Sequence, residues 1–109
     1  MQEHQEVQAI GSTLLCSGTQ KMVIPAGGQG VRQVVIRLPR FSGEPAFTAT
    51  VCSPQSLGGT FAIWDINIQD LGNETQVVVS ASIVAPQSSP GEGVPYDYFC
   101  SYMAVGKAL

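Results

Sequence analysis

No stretch of this chain carries a 3.6-residue hydrophobic period of helical length, whereas several runs alternate with the period of two that a strand requires. The clearest is Ala46 to Cys52, where Phe47, Ala49 and Val51 alternate with Thr48 and Thr50. Val31 to Leu38 is β-branched, with Val34, Ile36 and Leu38 on one side and Gln33, Val35 and Arg37 on the other. Thr60 to Gln69 sets Ala62, Trp64, Ile66 and Ile68 on one face, and Thr75 to Ala85 returns with Val77, Val79, Ala81 and Ile83 facing one way. Asp70-Leu71-Gly72-Asn73-Glu74 between them reads as a hairpin turn.

The last run, Tyr96 to Lys107, holds all three tyrosines. Its alternation places Tyr96, Tyr98, Cys100, Tyr102 and Ala104 on one face and Asp97, Phe99, Ser101, Met103 and Val105 on the other. Neither face is plainly polar, so both are expected to be covered by protein. Near the N-terminus, Ser12 to Ser17 and Lys21 to Ile24 read as two short extended stretches separated by a Gly18-Thr19 turn. Residues 1–11 are Gln- and Glu-rich without an apolar period and read as a lead-in or neck with no regular structure. Pro and Gly punctuate the rest: Pro25 to Gly30, Ser53 to Gly59 and Pro86 to Pro95 read as loops, the last as a mobile surface loop. Six or seven short strands with such turns predict an all-β antiparallel β-sandwich, a single domain over 12–109.

A chain of 109 residues is long enough to bury a core of its own. Hydrophobic residues make up 44% and charged residues only 12%, about half the usual share, which predicts surface buried against other subunits. The net charge of -3 removes the electrostatic attraction that nucleic-acid binding draws on. No apolar run approaches the roughly 20 residues that cross a bilayer, and no basic and apolar leader opens the chain, so a soluble protein without membrane insertion is expected.

The three cysteines, Cys16, Cys52 and Cys100, show no C-x-x-C spacing and sit in apolar strand-like settings, as buried thiols do. One disulfide from a pair of them stays open as an alternative. The only histidine, His4, lies in the lead-in, and no Ser, Cys or carboxylate has a sequence-near base, so no enzyme is expected. Asp65, Asp70, Glu74 and Asp97 read as turn and strand-edge charges rather than a catalytic pair. Asp70, Asn73 and Glu74 fit a hairpin turn better than a calcium loop, and no metal or cofactor is expected. Asn73-Glu74-Thr75 matches the glycosylation sequon, which carries nothing without export. Gly27-Gly28-Gln29-Gly30 lacks the Lys-Ser/Thr of a phosphate loop and reads as a turn. Among the aromatic residues, Trp64 is assigned to the core beside Ile66 and Ile68, while Tyr96 and Tyr98 stand evenly between packing and stacking on a sugar ring.

The order of elements, Glu44-Pro45-Ala46-Phe47-Thr48-Ala49-Thr50-Val51, then Thr60 to Gln69, then Thr75 to Ala85, then a tyrosine-led strand closing in Tyr102-Met103-Ala104-Val105-Gly106-Lys107, resembles the H-type lectin domain over roughly residues 20 to 107. The resemblance implies a six-stranded antiparallel sandwich that assembles as a homotrimer and binds carbohydrate at clefts between subunits. Similar domains also form the tips of bacteriophage tail fibres and tailspikes, which would place this chain on a virion. The tyrosine of the family's sugar site falls on Tyr96. The basic residue near the start of the Thr60 strand falls instead on Phe61, and the last loop holds no histidine, so the family's N-acetylgalactosamine specificity does not carry over. A sugar site would then use Tyr96, Tyr98 and Asp97 with Gln29, Arg32 and Asp65. The expected function is a non-catalytic carbohydrate-binding module that attaches a phage fibre or spike to a cell-surface glycan. The alternative is a structural trimerisation or capping domain with no sugar ligand.

Overall fold

A computed structural model describes residues 2–24, 31–52, 60–85 and 97–109. Among them run seven strands: β1 (His4–Ile10), β2 (Thr13–Lys21), β3 (Val31–Leu38), β4 (Ala46–Cys52), β5 (Thr60–Asp70), β6 (Thr75–Ala85) and β7 (Phe99–Lys107). They form two antiparallel sheets, a four-stranded sheet A ordered β1-β2-β7-β4 and a three-stranded sheet B ordered β3-β6-β5. The sheets close face to face on Cys16, Cys100, Tyr102 and Ala104 from sheet A and Val34, Ile36, Leu38, Val77, Val79 and Ala81 from sheet B. The all-β antiparallel sandwich read from the alternation is therefore the architecture observed.

β3, β4 and β6 occupy the residues expected of them, and in β3 the inward residues Arg32, Val34, Ile36 and Leu38 are buried while their neighbours stay open. Three features differ. First, Gly18 and Thr19 do not turn the chain; they lie inside a continuous β2, and both are buried. A Cβ on Gly18 would stand 2.5 Å from the Tyr102 hydroxyl oxygen and would meet the carbonyl oxygen of His4. The glycine is there for clearance between strands. The stretch beyond it reduces to a bridge in which Val23 pairs with Gln33 at the edge of β3.

Second, the lead-in contains a strand. β1 pairs with β2 from His4↔Thr19 to Ile10↔Thr13, joined by Gly11-Ser12 with Gly11 at φ 61, the positive φ a two-residue hairpin needs at its first central position. All seven residues of β1 stay exposed, because sheet B has only three strands and leaves β1 overhanging. Its glutamines explain its place. Gln5 Nε2 donates to the Arg37 carbonyl at 2.9 Å, and Gln20 Nε2 on β2 donates to the Val35 carbonyl at 2.9 Å. Side-chain amides thus occupy the open edge of β3 that would otherwise template another strand.

Third, Trp64 is not in the core; it is 64% exposed. The register of β5 on β6 slips between Ile63↔Ala81 and Asp65↔Ser80, so Trp64 is the additional residue of a β-bulge. Phe61 and Ile63 before the bulge and Ile68 after it pack on the core. An alternation carried straight through the bulge assigns Trp64 to the wrong side.

The cysteines are all free thiols. Cys16 pairs with Ala104 and Cys100 with Gln20, so these two lie on one face but four residues apart along the strands, about 13 Å, beyond disulfide reach. Cys52 faces Phe99 across the ladder, one position out of phase with Cys100 and so on the opposite face of sheet A. That geometry closes the disulfide alternative.

Candidate functional site

Two places gather the residues expected to bind a ligand. At one pole, β4 and β6 end and β3, β5 and β7 begin, which brings Arg32, Phe61 and Tyr98 together. The Arg32 guanidinium carbon lies 5.1 Å from the ring centres of both Phe61 and Tyr98, whose rings are 4.3 Å apart and tilted by 58°. Arg32 and Tyr98 are only 2% and 3% exposed, so both are spent on packing and neither offers a stacking face to solvent. Burial lowers the Arg32 pKa from its ordinary value, while Tyr98 and the Asp97 carboxylate pull it back up. A desolvated cation on aromatic faces is worth about 2 kcal/mol, which makes this cluster a lock between the sheets. Asp97, exposed at the rim, has its Oδ1 3.4 Å from Lys21 Nζ. Gln29, Tyr96 and the loops expected over 25–30, 53–59 and 86–95 lie outside the described residues.

The second place is the outer face of sheet B. Asp65 belongs here, well away from the Arg32 cluster, and the bulge sets it and Trp64 together opposite Ser80. Asn67 follows opposite Val78, and Gln33 on β3 lies across the same row as Ser80, with Gln33 Nε2 donating to the Ser80 hydroxyl at 3.4 Å. The face thus presents one open indole with the Asp65 carboxylate, the Asn67 carboxamide and the Gln33 amide along neighbouring rows, while Ser80 beneath them is buried. Leaving an indole this open forgoes burial on the order of 2 kcal/mol, which a ligand can recover. Trp64 is the residue sequence reasoning missed. Its signal was present: apolar residues at 61, 63, 66 and 68 break the period of two between Ile63 and Ile66, as a bulge must.

Several buried groups hold their protons more tightly than usual. Burial raises the Cys16 thiol, and burial with a smaller contribution from Cys52 pushes Cys100 to about 11, so both stay protonated at neutral pH. Burial also raises Tyr102, against a hydrogen bond from Gln5 that lowers it. Asp70 Oδ1 accepts the Gly72 N–H at 2.9 Å and lies 3.4 Å from Arg40 Nε, the roles of a turn residue. Among the described residues no three His, Cys, Asp or Glu side chains are grouped to hold a metal ion, and no helix is long and apolar enough to cross a membrane.

Comparisons with protein-family models, with curated proteins and with solved structures find no match. The functional reading therefore rests on the geometry of these surfaces.

Proposed function

We propose that the chain is a non-catalytic carbohydrate-binding module, the attachment tip of a phage tail fibre or spike, working as a homotrimer on a cell-surface glycan. The observation that carries this reading is Trp64, 64% exposed on a bulge beside Asp65 and Asn67. An open indole takes the apolar face of a pyranose, and flanking carboxylate and amide groups take its hydroxyls. The lectin-like sequence resemblance points to the same ligand class through Tyr96, and the aromatic reading adds Tyr98. The burial of Tyr98 favours moving the ligand to Trp64. Single sites of this kind are weak, and three on one trimer gain strength by avidity. A glycan array is the test: the wild type should bind, and Trp64→Ala should lose about tenfold or more in affinity with the fold intact. An intact wild type that binds no glycan would sink the proposal.

A structural trimerisation or capping domain is the second reading. It is favoured by Met103 and Val105, 47% and 37% exposed on the outer face of sheet A. It calls for a stable assembly whose attachment to cells is indifferent to Trp64→Ala.

A further inference from the structure

Between β1, β2 and the edge of β3 lies a cleft of about 380 Å³, lined chiefly by Glu3, Gln5, Gln20, Val35, Arg37 and Tyr102. Its polar atoms are held in place from behind. Gln5 Nε2 donates both to the Arg37 carbonyl at 2.9 Å and to the Tyr102 hydroxyl at 2.8 Å, and Gln20 Nε2 donates to the Val35 carbonyl at 2.9 Å. The Oε1 of each glutamine is left as an acceptor, and Tyr102, accepting from Gln5, keeps its own hydroxyl proton to donate. Glu3 Oε2 accepts from the Lys21 backbone N–H at 3.1 Å. Arg37 Nη1 lies 3.8 Å from Glu74 Oε2. The ionisable lining is one carboxylate, Glu3, one guanidinium, Arg37, and the imidazole of His4, and with the neutral donors and acceptors of Gln5, Gln20, Thr19 and Tyr102 it suits a polyhydroxylated molecule without net charge.

The cleft borders the outer face of sheet B, whose far edge carries Trp64. Val35 and Arg37 line it and also belong to the outer face of sheet B, where the pairing rows run Val35–Val78–Asn67 and Gln33–Ser80–Asp65. From β3 to β5 is two strand spacings, about 9.6 Å, and from the row of Arg37 to that of Gln33 is four residues, about 13 Å. The diagonal of about 16 Å is a span that several linked sugar rings bridge and one ring does not. We infer that the ligand is a linear, uncharged oligosaccharide lying diagonally across sheet B, with one ring stacked on Trp64 and a distal ring seated in the cleft at Tyr102 and Arg37. The inference rests on the carbohydrate-binding reading and adds a second subsite and a minimum chain length to it.

The test is titration of the whole protein in solution with malto-, cello-, chito- and lactosamine ladders of one to six rings. Soluble ligands keep avidity out of the comparison. On a ladder that binds, the wild type should hold the tetrasaccharide about tenfold or more tightly than the disaccharide. In Arg37→Ala and in Tyr102→Phe that ratio should fall to about one, whereas Trp64→Ala should weaken both lengths. Arg37 has a largely exposed side chain, so its variant carries the test even if the buried Tyr102 change disturbs folding. A disaccharide bound as tightly as a tetrasaccharide, or a length gain that survives Arg37→Ala, overturns the extended site and leaves the Trp64 reading standing. Absence of binding to every ladder overturns both.

Discussion

Two residues show how little slack the core has. Gly18 stands where any Cβ would press on the Tyr102 hydroxyl, held by Gln5, and on the His4 carbonyl, held by β-pairing. Overpacking of that kind costs about 1 to 3 kcal/mol, so Gly18→Ala should lower the unfolding free energy by that much, seen as a lower denaturant midpoint at an unchanged slope. Cys100 is fully buried, and burial first, the Cys52 thiolate second, raises its pKa from 9.0 to about 11. A thiol raised in the folded state binds its proton more tightly there than in the unfolded chain. Between those two values the folded state carries more protons, so stability falls as pH rises through that window and levels off above it. Cys16 and Tyr102 are raised too and push in the same direction. Thermal melts from pH 8 upward should show a loss of a few kcal/mol above about pH 9, and Cys100→Ala should flatten part of it. Loss on the acid side instead would contradict the burial argument.

At the scale of the element, the open edge of β3 is the feature that side chains manage. Gln5 and Gln20 cap the carbonyls of Arg37 and Val35. Removing both amides should cost about 1 kcal/mol for each lost bond and, by freeing a strand edge, raise aggregation on heating. Turbidity during a melt of the Gln5→Ala/Gln20→Ala double variant, against wild type, checks it. These elements also show what the sequence makes legible. Where a β-branched run is bounded by Gly and Pro, as in β3, β4 and β6, strand bounds can be read directly from side-chain type. Where a strand's role depends on a partner far away, they cannot: β1 has no buried residue and hence no apolar period, and Gly18 reads as a turn until Tyr102 is placed beside it. The site follows the same division. Asp65 was legible as a surface polar group, but Trp64 was assigned inward because one additional residue reverses the phase of everything after it. Arg32 and Tyr98 carry the right chemistry for a sugar, and only three-dimensional packing shows that each is already occupied by the other.

At the scale of the whole molecule, the chain exposes large apolar side chains on both sheets. Its radius of gyration is 15.0 Å, against about 13 Å for a compact chain of this length. The overhanging β1 accounts for part of the excess, with Val7 and Ile10 open along it. The outer face of sheet A is nearly free of charge: its central rows run Gln8–Leu15–Val105–Ala46 and Glu6–Ser17–Met103–Thr48, in which Glu6 is the only ionised side chain. A face this poor in charge, with Leu15, Met103 and Val105 at its centre among uncharged Ser, Thr and Gln side chains, is where the proposed homotrimer should close. Light scattering of the wild type should then give three times the chain mass. Met103→Glu with Val105→Glu should dissociate it, because each subunit would bury two unpaired carboxylates at the contact, and a buried unpaired charge costs several kcal/mol. Trp64→Ala lies on the other sheet and should leave the mass unchanged while weakening glycan binding. If the wild type runs as a monomer at every concentration, neither the trimeric lectin nor the trimeric cap survives, and the exposed Met103 and Val105 must be explained by a different partner.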